Sequence, residues 1–210
     1  TKSLHTAVHV TTGLEVDMTE AIKLRKKLMG SDKLENLSIL ALVSRAIVEA
    51  IKEYPILNSE LKDEKILVKK NINMGIGVSS PNGLIVPVIR DMQDMGFGSI
   101  ARSIQRITEK GRDNAVEMDD LIGGTITLSN AGAFGAITST PIINYPQCAV
   151  LWMGKAVKKP AVVNDEIVIR SIMNLLCSYD HRIVDGSTVA KFLTKIKTML
   201  EFPEMLLITY

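Results

Sequence analysis

Aromatic side chains are scarce: Phe, Trp and Tyr make up only 4% of the 210 residues, with a single Trp. The 46% hydrophobic content is therefore carried by Ile, Leu, Val, Met and Ala, and mean hydropathy is still positive at +0.18. A strong charge of either sign is missing too. The formal net charge is +2, and basic patches interleaved with aromatics, the footprint of a nucleic-acid surface, do not occur. No apolar run reaches the ~18–20 residues that a membrane-spanning helix needs. The opening residues Thr1-Lys2-Ser3 carry no secretory signal and no initiator Met, as expected of a fragment or a processed chain. Only two cysteines are present. Cys148 and Cys177 each lie in a strand-like apolar run and read as buried, reduced thiols of an intracellular protein, not as a disulfide framework. The three His have no paired Cys/His spacing, so no metal site is expected.

What is present is ordinary for a globular protein, with 23% charged residues. The length fits one large α/β or α+β domain, and no linker, repeat or internal boundary divides it. So aliphatic a chain is expected to hide part of its apolar surface in subunit contacts.

Residues 7–16 alternate as a strand. Asp17-Met18-Thr19-Glu20 has the form of a capping box opening a helix, with Ala21, Leu24 and Leu28 on one face and Gly30 as its C-cap. A second helix is expected from Ser38, where Leu40, Val43, Ile47, Ile51 and Tyr54 recur at helical spacing until Pro55 stops it. Residues 72–78 alternate as a strand. Ser79-Ser80-Pro81-Asn82-Gly83 turns the chain, and residues 84–89 return with Pro87 marking an edge or a bulge. A helix follows over 99–112, then strands at 125–128, 148–153 and 167–179, the last preceded by an Asn164-Asp165 turn. A final helix over 187–201 turns Val189, Leu193, Ile196 and Leu200 inward. The order β-α-α-β-β-α-β-β-β-α describes a two-layer α/β (α+β) fold, a mixed sheet with helices packed on it.

Two places can carry chemistry. His181 follows a long apolar strand in Ser178-Tyr179-Asp180-His181-Arg182, with Asp185-Gly186 at the mouth of the last helix. A polar cluster at a strand end is a common seat for catalytic groups. The same residues would also serve merely to cap the helix, and local sequence does not separate the two readings. His5 and His9 have no neighbouring acid or nucleophile and read as structural. The second place is Thr127-Leu128-Ser129-Asn130-Ala131-Gly132, a serine at a strand end before a small-residue loop. It is neither a Gly-x-Ser-x-Gly elbow nor a phosphate-binding loop, and taken alone it reads as a turn serine.

Taken together and in order, these segments resemble the catalytic domain of the dihydrolipoyl acyltransferases, the core components of 2-oxo acid dehydrogenase complexes. That family shares the fold of chloramphenicol acetyltransferase. The likeness is carried by His9-Val10-Thr11, by Pro81 to Asp91, and by Thr127-Leu128-Ser129-Asn130-x-Gly132. It continues in Thr140 to Gln147 and ends in Ser178-Tyr179-Asp180-His181 with Asp185-Gly186. The resemblance implies that His181 is the general base, that Ser129 is the hydroxyl that stabilises an oxyanion, and that Asp185 is a structural acid. It implies homotrimers in which histidine and serine meet across a subunit boundary, assembled into a larger hollow core. Its substrates would be coenzyme A and a lipoyl group carried on a separate domain, with no metal. Its partners would be that lipoyl domain, the 2-oxo acid decarboxylase and the dihydrolipoyl dehydrogenase, with no nucleic acid or membrane. The location expected is the cytoplasm, or the mitochondrial matrix in a eukaryote. Lipoyl and subunit-binding domains have no counterpart in residues 1–210.

The chemistry accounts for the residue types. A thiol with a pKa of about 8.5 is mostly protonated near neutral pH, and a neutral imidazole takes its proton as it attacks a thioester. A hydroxyl aimed at the carbonyl oxygen then stabilises the tetrahedral intermediate. Acetyl and branched-chain acyl groups lead as cargo, with succinyl as a further candidate. Trp152 is an unusually bulky residue for its strand, and Leu176-Cys177 also departs from the family pattern. Two other functions compete: an assembly core whose activity is lost or secondary, and a chloramphenicol-acetyltransferase-like enzyme acylating an alcohol. The intact Ser129 and His181 oppose the first, and Asp180 in place of a second histidine opposes the other.

Overall fold

The computed structural model describes residues 2–29 and 37–207. After a short helix α1 (Lys2–Thr6) and strand β1 (His9–Asp17) come helices α2 (Thr19–Leu28) and α3 (Ile39–Glu53). Two hairpins follow, β2 (Ser59–Lys62) with β3 (Lys65–Val68), and β5 (Val78–Ser80) with β6 (Gly83–Ile85). Short strands β4 (Met74–Ile76) and β7 (Val88–Ile89) flank the second. Helix α4 (Phe97–Arg112), β8 (Ile126–Asn130), β9 (Ala149–Met153), β10 (Val157–Val163), β11 (Glu166–Asp180) and α5 (Gly186–Glu201) complete the chain. The main sheet runs β1-β11-β9-β8-β4-β7 with β10 on β11, and it is mixed: β8 lies parallel to β4 and β9, while the other pairs are antiparallel.

The expected two-layer fold is the observed one. The helices pack on one face of the sheet because their apolar stripes leave no other stable arrangement. Helix α3 is buried along Leu40, Val43, Ile47 and Ile51 and packs against α4 and α5. Its N-cap is Ser38, whose hydroxyl accepts from Ala41 N. Helix α4 buries Ile100, Ile104 and Ile107, and α5 buries Val189, Leu193, Ile196 and Leu200. Each such side chain contributes about 1.5–3 kcal/mol on leaving water. Tyr54 closes α3 and meets Phe192 of α5 edge-on, with centroids 6.2 Å apart.

Some local expectations fail for identifiable reasons. The capping box at Asp17-Met18-Thr19-Glu20 does not form. Met18 takes the N-cap position, and Asp17 Oδ1 accepts from Thr19 N. The Asp17 backbone N–H, which the Glu20 side chain would serve in a capping box, donates instead to Glu201 Oε1 of α5 at 3.0 Å, and Glu20 pairs with Lys23. Gly30 lies outside the described residues. The strand expected over 72–78 is split into β4 and β5, and the one over 84–89 into β6 and β7. Pro87 lies at the second break, and its carbonyl accepts from Ile76 N. Strand β7 is the sheet's last strand, in keeping with an edge proline nearby. Helix α1, hairpin β2–β3 and strand β10 are additions to the expected order.

The lower half of β11 pairs only with β10, and this ribbon extends past the end of β1. Asn164 and Asp165 form its two-residue turn with φ of 52° and 65°, the backbone a tight hairpin requires. Val162, Ile167 and Ile169 on the ribbon stay 71%, 80% and 74% exposed.

Candidate active site

The face of the sheet turned away from the helices carries the serine. In β8, Ile126 and Leu128 enter the core, so alternation turns Thr127 and Ser129 to the opposite face. Val150 and Trp152 of β9 stand beside them in register. The segment 136–147 folds over this face. Asn174 Nδ2 donates to Ile137 O at 2.7 Å, Lys155 N donates to Ala136 O at 2.8 Å, and Thr127 Oγ1 donates to Gln147 Oε1 at 2.6 Å. Gly132 is required where the chain turns back, because a Cβ there would strike the Gly154 backbone. The result is a cavity of about 450 Å³ holding Ser129, Trp152, Val86 and residues 139–144. Thr140-Pro141-Ile142-Ile143-Asn144, quoted above only as a likeness, is thus the cavity's lid.

His9 anchors that lid, which is the structural part expected of it. Its Nδ1 donates to Ala7 O at 3.2 Å, and its Nε2 accepts from Ile143 N at 3.3 Å. Together these bonds require a neutral ring protonated on Nδ1. His5 lies in the last turn of α1, exposed.

His181 lies at the far end of β11, exposed, with its backbone N donating to Val8 O at 2.8 Å. Its ring tilts against Tyr179 with centroids 5.8 Å apart. Among the described residues its imidazole makes no side-chain hydrogen bond. Asp185 is the N-cap of α5: its Oδ1 accepts from Thr188 N at 2.7 Å and from Ser187 Oγ at 2.8 Å. Those bonds, the backbone one foremost, hold its carboxyl below the usual carboxylate range. The two readings of this cluster thus divide between two residues. Asp185 caps the helix, while His181 takes no part in the cap and stays exposed.

Local sequence assigned no part to Asp180, yet it organises the turn. It is buried, and the Arg182 guanidinium grips it with Nε at 2.9 Å from Oδ1 and Nη2 at 2.6 Å from Oδ2. Oδ1 also accepts from Val8 N and Arg182 N. Burial pushes its pKa up, but the Arg182 and backbone hydrogen bonds outweigh burial and leave it lowered. Alternation of charge in Asp180-His181-Arg182 was the available signal. The acid and base flanking the histidine bind each other and present the imidazole between them.

Within one chain, Ser129 and His181 do not meet. Ser129 pairs with Trp152, which pairs with Leu176, and β11 runs four residues further to Asp180. His181 is one residue beyond that, so at ~3.3 Å per residue and ~4.8 Å per strand the separation is roughly 19 Å. Neither cysteine takes part. Burial pushes the Cys148 thiol up to about 12 and raises that of Cys177 as well, so both stay protonated and inert. A thiol-reactive dye at pH 8 should label neither in the folded protein and both in denaturant; rapid native labelling would contradict this burial.

The chain matches a family model described as 2-oxoacid dehydrogenases acyltransferase (catalytic domain) over residues 1–208. It is 40% identical over 207 residues to the dihydrolipoyllysine-residue succinyltransferase component of the 2-oxoglutarate dehydrogenase complex of Bacillus subtilis, covering 97% of this chain and 50% of that protein. It is 39% identical over 197 residues to the lipoamide acyltransferase component of the branched-chain alpha-keto acid dehydrogenase complex of the same organism, covering 92% and 46%. The chain thus spans about half the length of the curated relatives it matches. Among solved structures, a dihydrolipoamide acetyltransferase of Azotobacter vinelandii, studied for the roles of a serine, a histidine and an asparagine in its mechanism, superposes with a TM-score of 0.92. It is 28% identical, and the match covers 99% of this chain and 87% of that one. The cubic core of a pyruvate dehydrogenase multienzyme complex matches with a TM-score of 0.92 at 29% identity, over 99% of this chain and 87% of that one. A chloramphenicol acetyltransferase shares the fold with a TM-score of 0.62 at 18% identity, over 91% and 88%. With its sheet, its serine strand and its histidine turn all in place, this chain belongs to the family of 2-oxoacid dehydrogenase acyltransferase catalytic domains.

Proposed function

We propose that this domain moves an acyl group between the thiols of a dihydrolipoyl arm and coenzyme A, at sites shared between subunits of a homotrimer. One observation carries the reading. The cavity around Ser129 contains a hydroxyl donor but no base among its lining residues, while His181 presents an exposed imidazole at the opposite end of the sheet. A second copy brings the two halves together. The serine, histidine and asparagine named for the Azotobacter vinelandii enzyme are spaced like Ser129, His181 and Asp185, with aspartate here in place of the asparagine.

In this reading His181 takes the proton of the incoming thiol as its sulfur attacks the thioester carbonyl. Ser129 Oγ donates to the oxygen that becomes negative in the tetrahedral intermediate. Collapse breaks the other C–S bond, and His181 returns the proton to the departing thiolate. The balance is one thioester for another, so the reaction runs in both directions. Asp185 fixes the start of α5, four residues after His181. The exposed ribbon residues Val162, Ile167 and Ile169, and the tail residues Phe202, Met205 and Leu207, supply apolar surface for the trimer and for contacts between trimers. The lipoyl domain, the 2-oxo acid decarboxylase and the dihydrolipoyl dehydrogenase are its expected partners.

The test is transfer from acyl-CoA to free dihydrolipoamide by the assembled protein. Thioester exchange is the expected result; a folded oligomer with no turnover would leave only a scaffold. Ser129→Ala should lower kcat by about 10²–10³-fold with a small change in KM. An unchanged kcat would remove Ser129 from the mechanism.

A further inference from the structure

We propose that Trp152 sets the acyl specificity of the Ser129 cavity, so that this domain takes short, uncharged acyl groups and rejects those ending in a carboxylate. The inference rests on the acyl-transfer reading and goes beyond it, because relatives named for different acyl groups, succinyl at 40% identity and branched-chain at 39%, both match the chain.

Three observations carry it. First, Trp152 is the register partner of Ser129 in the parallel pair β8–β9, and both side chains enter the same cavity. An acyl group whose carbonyl oxygen meets the Ser129 hydroxyl extends beside the indole. Secondly, the ring is held. It is only 3% exposed although it lies on the sheet face without helices, and a Cβ on Gly154 would come within 3.0 Å of Cζ3 and 3.2 Å of Cη2. The ring thus occupies the space above Gly154, under the 136–147 segment, and its bulk is a fixed wall.

Thirdly, the wall this chain supplies is mostly apolar and carries no lysine, arginine or histidine. Leu84, Val86, Ile142, Val150 and Trp152 make up much of its apolar part, and Ser139, Thr140 and Asn144 on the covering segment are polar but uncharged. The Thr127 hydroxyl is already committed to Gln147. A carboxylate leaving water for such a wall finds no cation, and unpaired burial of charge is strongly disfavoured. An aliphatic acyl group has no such penalty, and its length is limited by the indole.

The experiment compares kcat/KM for acetyl-, isobutyryl- and succinyl-CoA with free dihydrolipoamide, using assembled wild-type protein, Trp152→Ala and Trp152→Phe. Wild type should favour acetyl over succinyl by about 100-fold and over isobutyryl by about tenfold. Trp152→Ala should raise the isobutyryl-to-acetyl ratio by about tenfold and Trp152→Phe by less. Succinyl should remain poor in all three, because no cation has been added. If the alanine variant does not assemble, the phenylalanine variant and the wild-type ratios decide the matter. Succinyl-CoA within tenfold of acetyl-CoA in wild type, or an unchanged ratio in every assembled variant, would overturn the proposal. Absence of transfer from all three donors would instead overturn the acyl-transfer reading, and this proposal with it.

Discussion

His181→Ala should lower kcat for acyl transfer by at least about 10³-fold while the protein still assembles, since a positioned general base supplies ~10²–10⁴ in rate. The side chain is exposed and makes no hydrogen bond to the described residues, so its removal costs the fold little. The sharper form of the experiment uses two inactive chains. In a cyclic trimer mixed from His181→Ala and Ser129→Ala subunits, one of the three boundaries joins an intact histidine to an intact serine. Mixed trimers should therefore regain roughly a third of wild-type turnover, and unmixed ones none. Turnover is measured on assemblies whose composition is confirmed by mass. Full activity in the single His181 variant, or none in confirmed mixed trimers, would refute the shared site. The separation of roughly 19 Å within one chain makes this the discriminating measurement.

The second large effect is expected at Asp180. Its carboxylate holds the Arg182 guanidinium and two backbone N–H groups in a buried setting. Asp180→Ala leaves Val8 N without its acceptor and Arg182 without its partner. The expected cost is on the order of 3 kcal/mol, since hydrogen bonds to a charged group contribute ~1.5–3 kcal/mol each and part of the loss is recovered from water. For a domain of this size, that corresponds to a Tm lower by about 6–12 °C. Because the turn presents His181, kcat should fall as well, with KM less affected. The pH dependence has a definite sign. A carboxyl whose pKa is lowered in the fold stabilises above its unfolded value of about 3.9, and the contribution is lost as pH falls through the lower folded value. The gap in urea midpoint between wild type and Asp180→Asn, measured at one protein concentration, should be wide at pH 7 and narrow below about pH 4. A gap that widens on acidification would contradict the ion-pair account.

How much was legible beforehand differs from element to element. Helices α3, α4 and α5 were readable because each buries one stripe against the sheet, so its apolar residues must recur every three or four positions. The turn before β11 was readable because Asn and Asp tolerate positive φ. The β2–β3 hairpin was not, since Asp63-Glu64 turns with φ of 48° and 60° without a glycine or asparagine to announce it. Strand β10 contains Lys158, Lys159 and Pro160, which argue against a strand, and it exists as an outer strand paired only with β11. At the start of α2 the local pattern was sound, but Glu201 of α5, distant in sequence, took the Asp17 N–H that Glu20 would have served.

For the site, the sequence by itself determined which groups were available: one imidazole after a long strand, one hydroxyl after a short one, and motifs in a family's order. Covalent neighbours such as Asp180-His181-Arg182 or Asp185-Gly186 are visible in one dimension. The tertiary structure decided what faces what. It put Ser129 beside Trp152, closed the lid with His9, spent Asp185 on a helix cap and Asp180 on Arg182, and set the serine and the histidine at opposite ends of one sheet. The physical reason is register. Which residues of β8, β9 and β11 stand side by side follows from the packing of side chains far apart in the chain, and no local pattern records it.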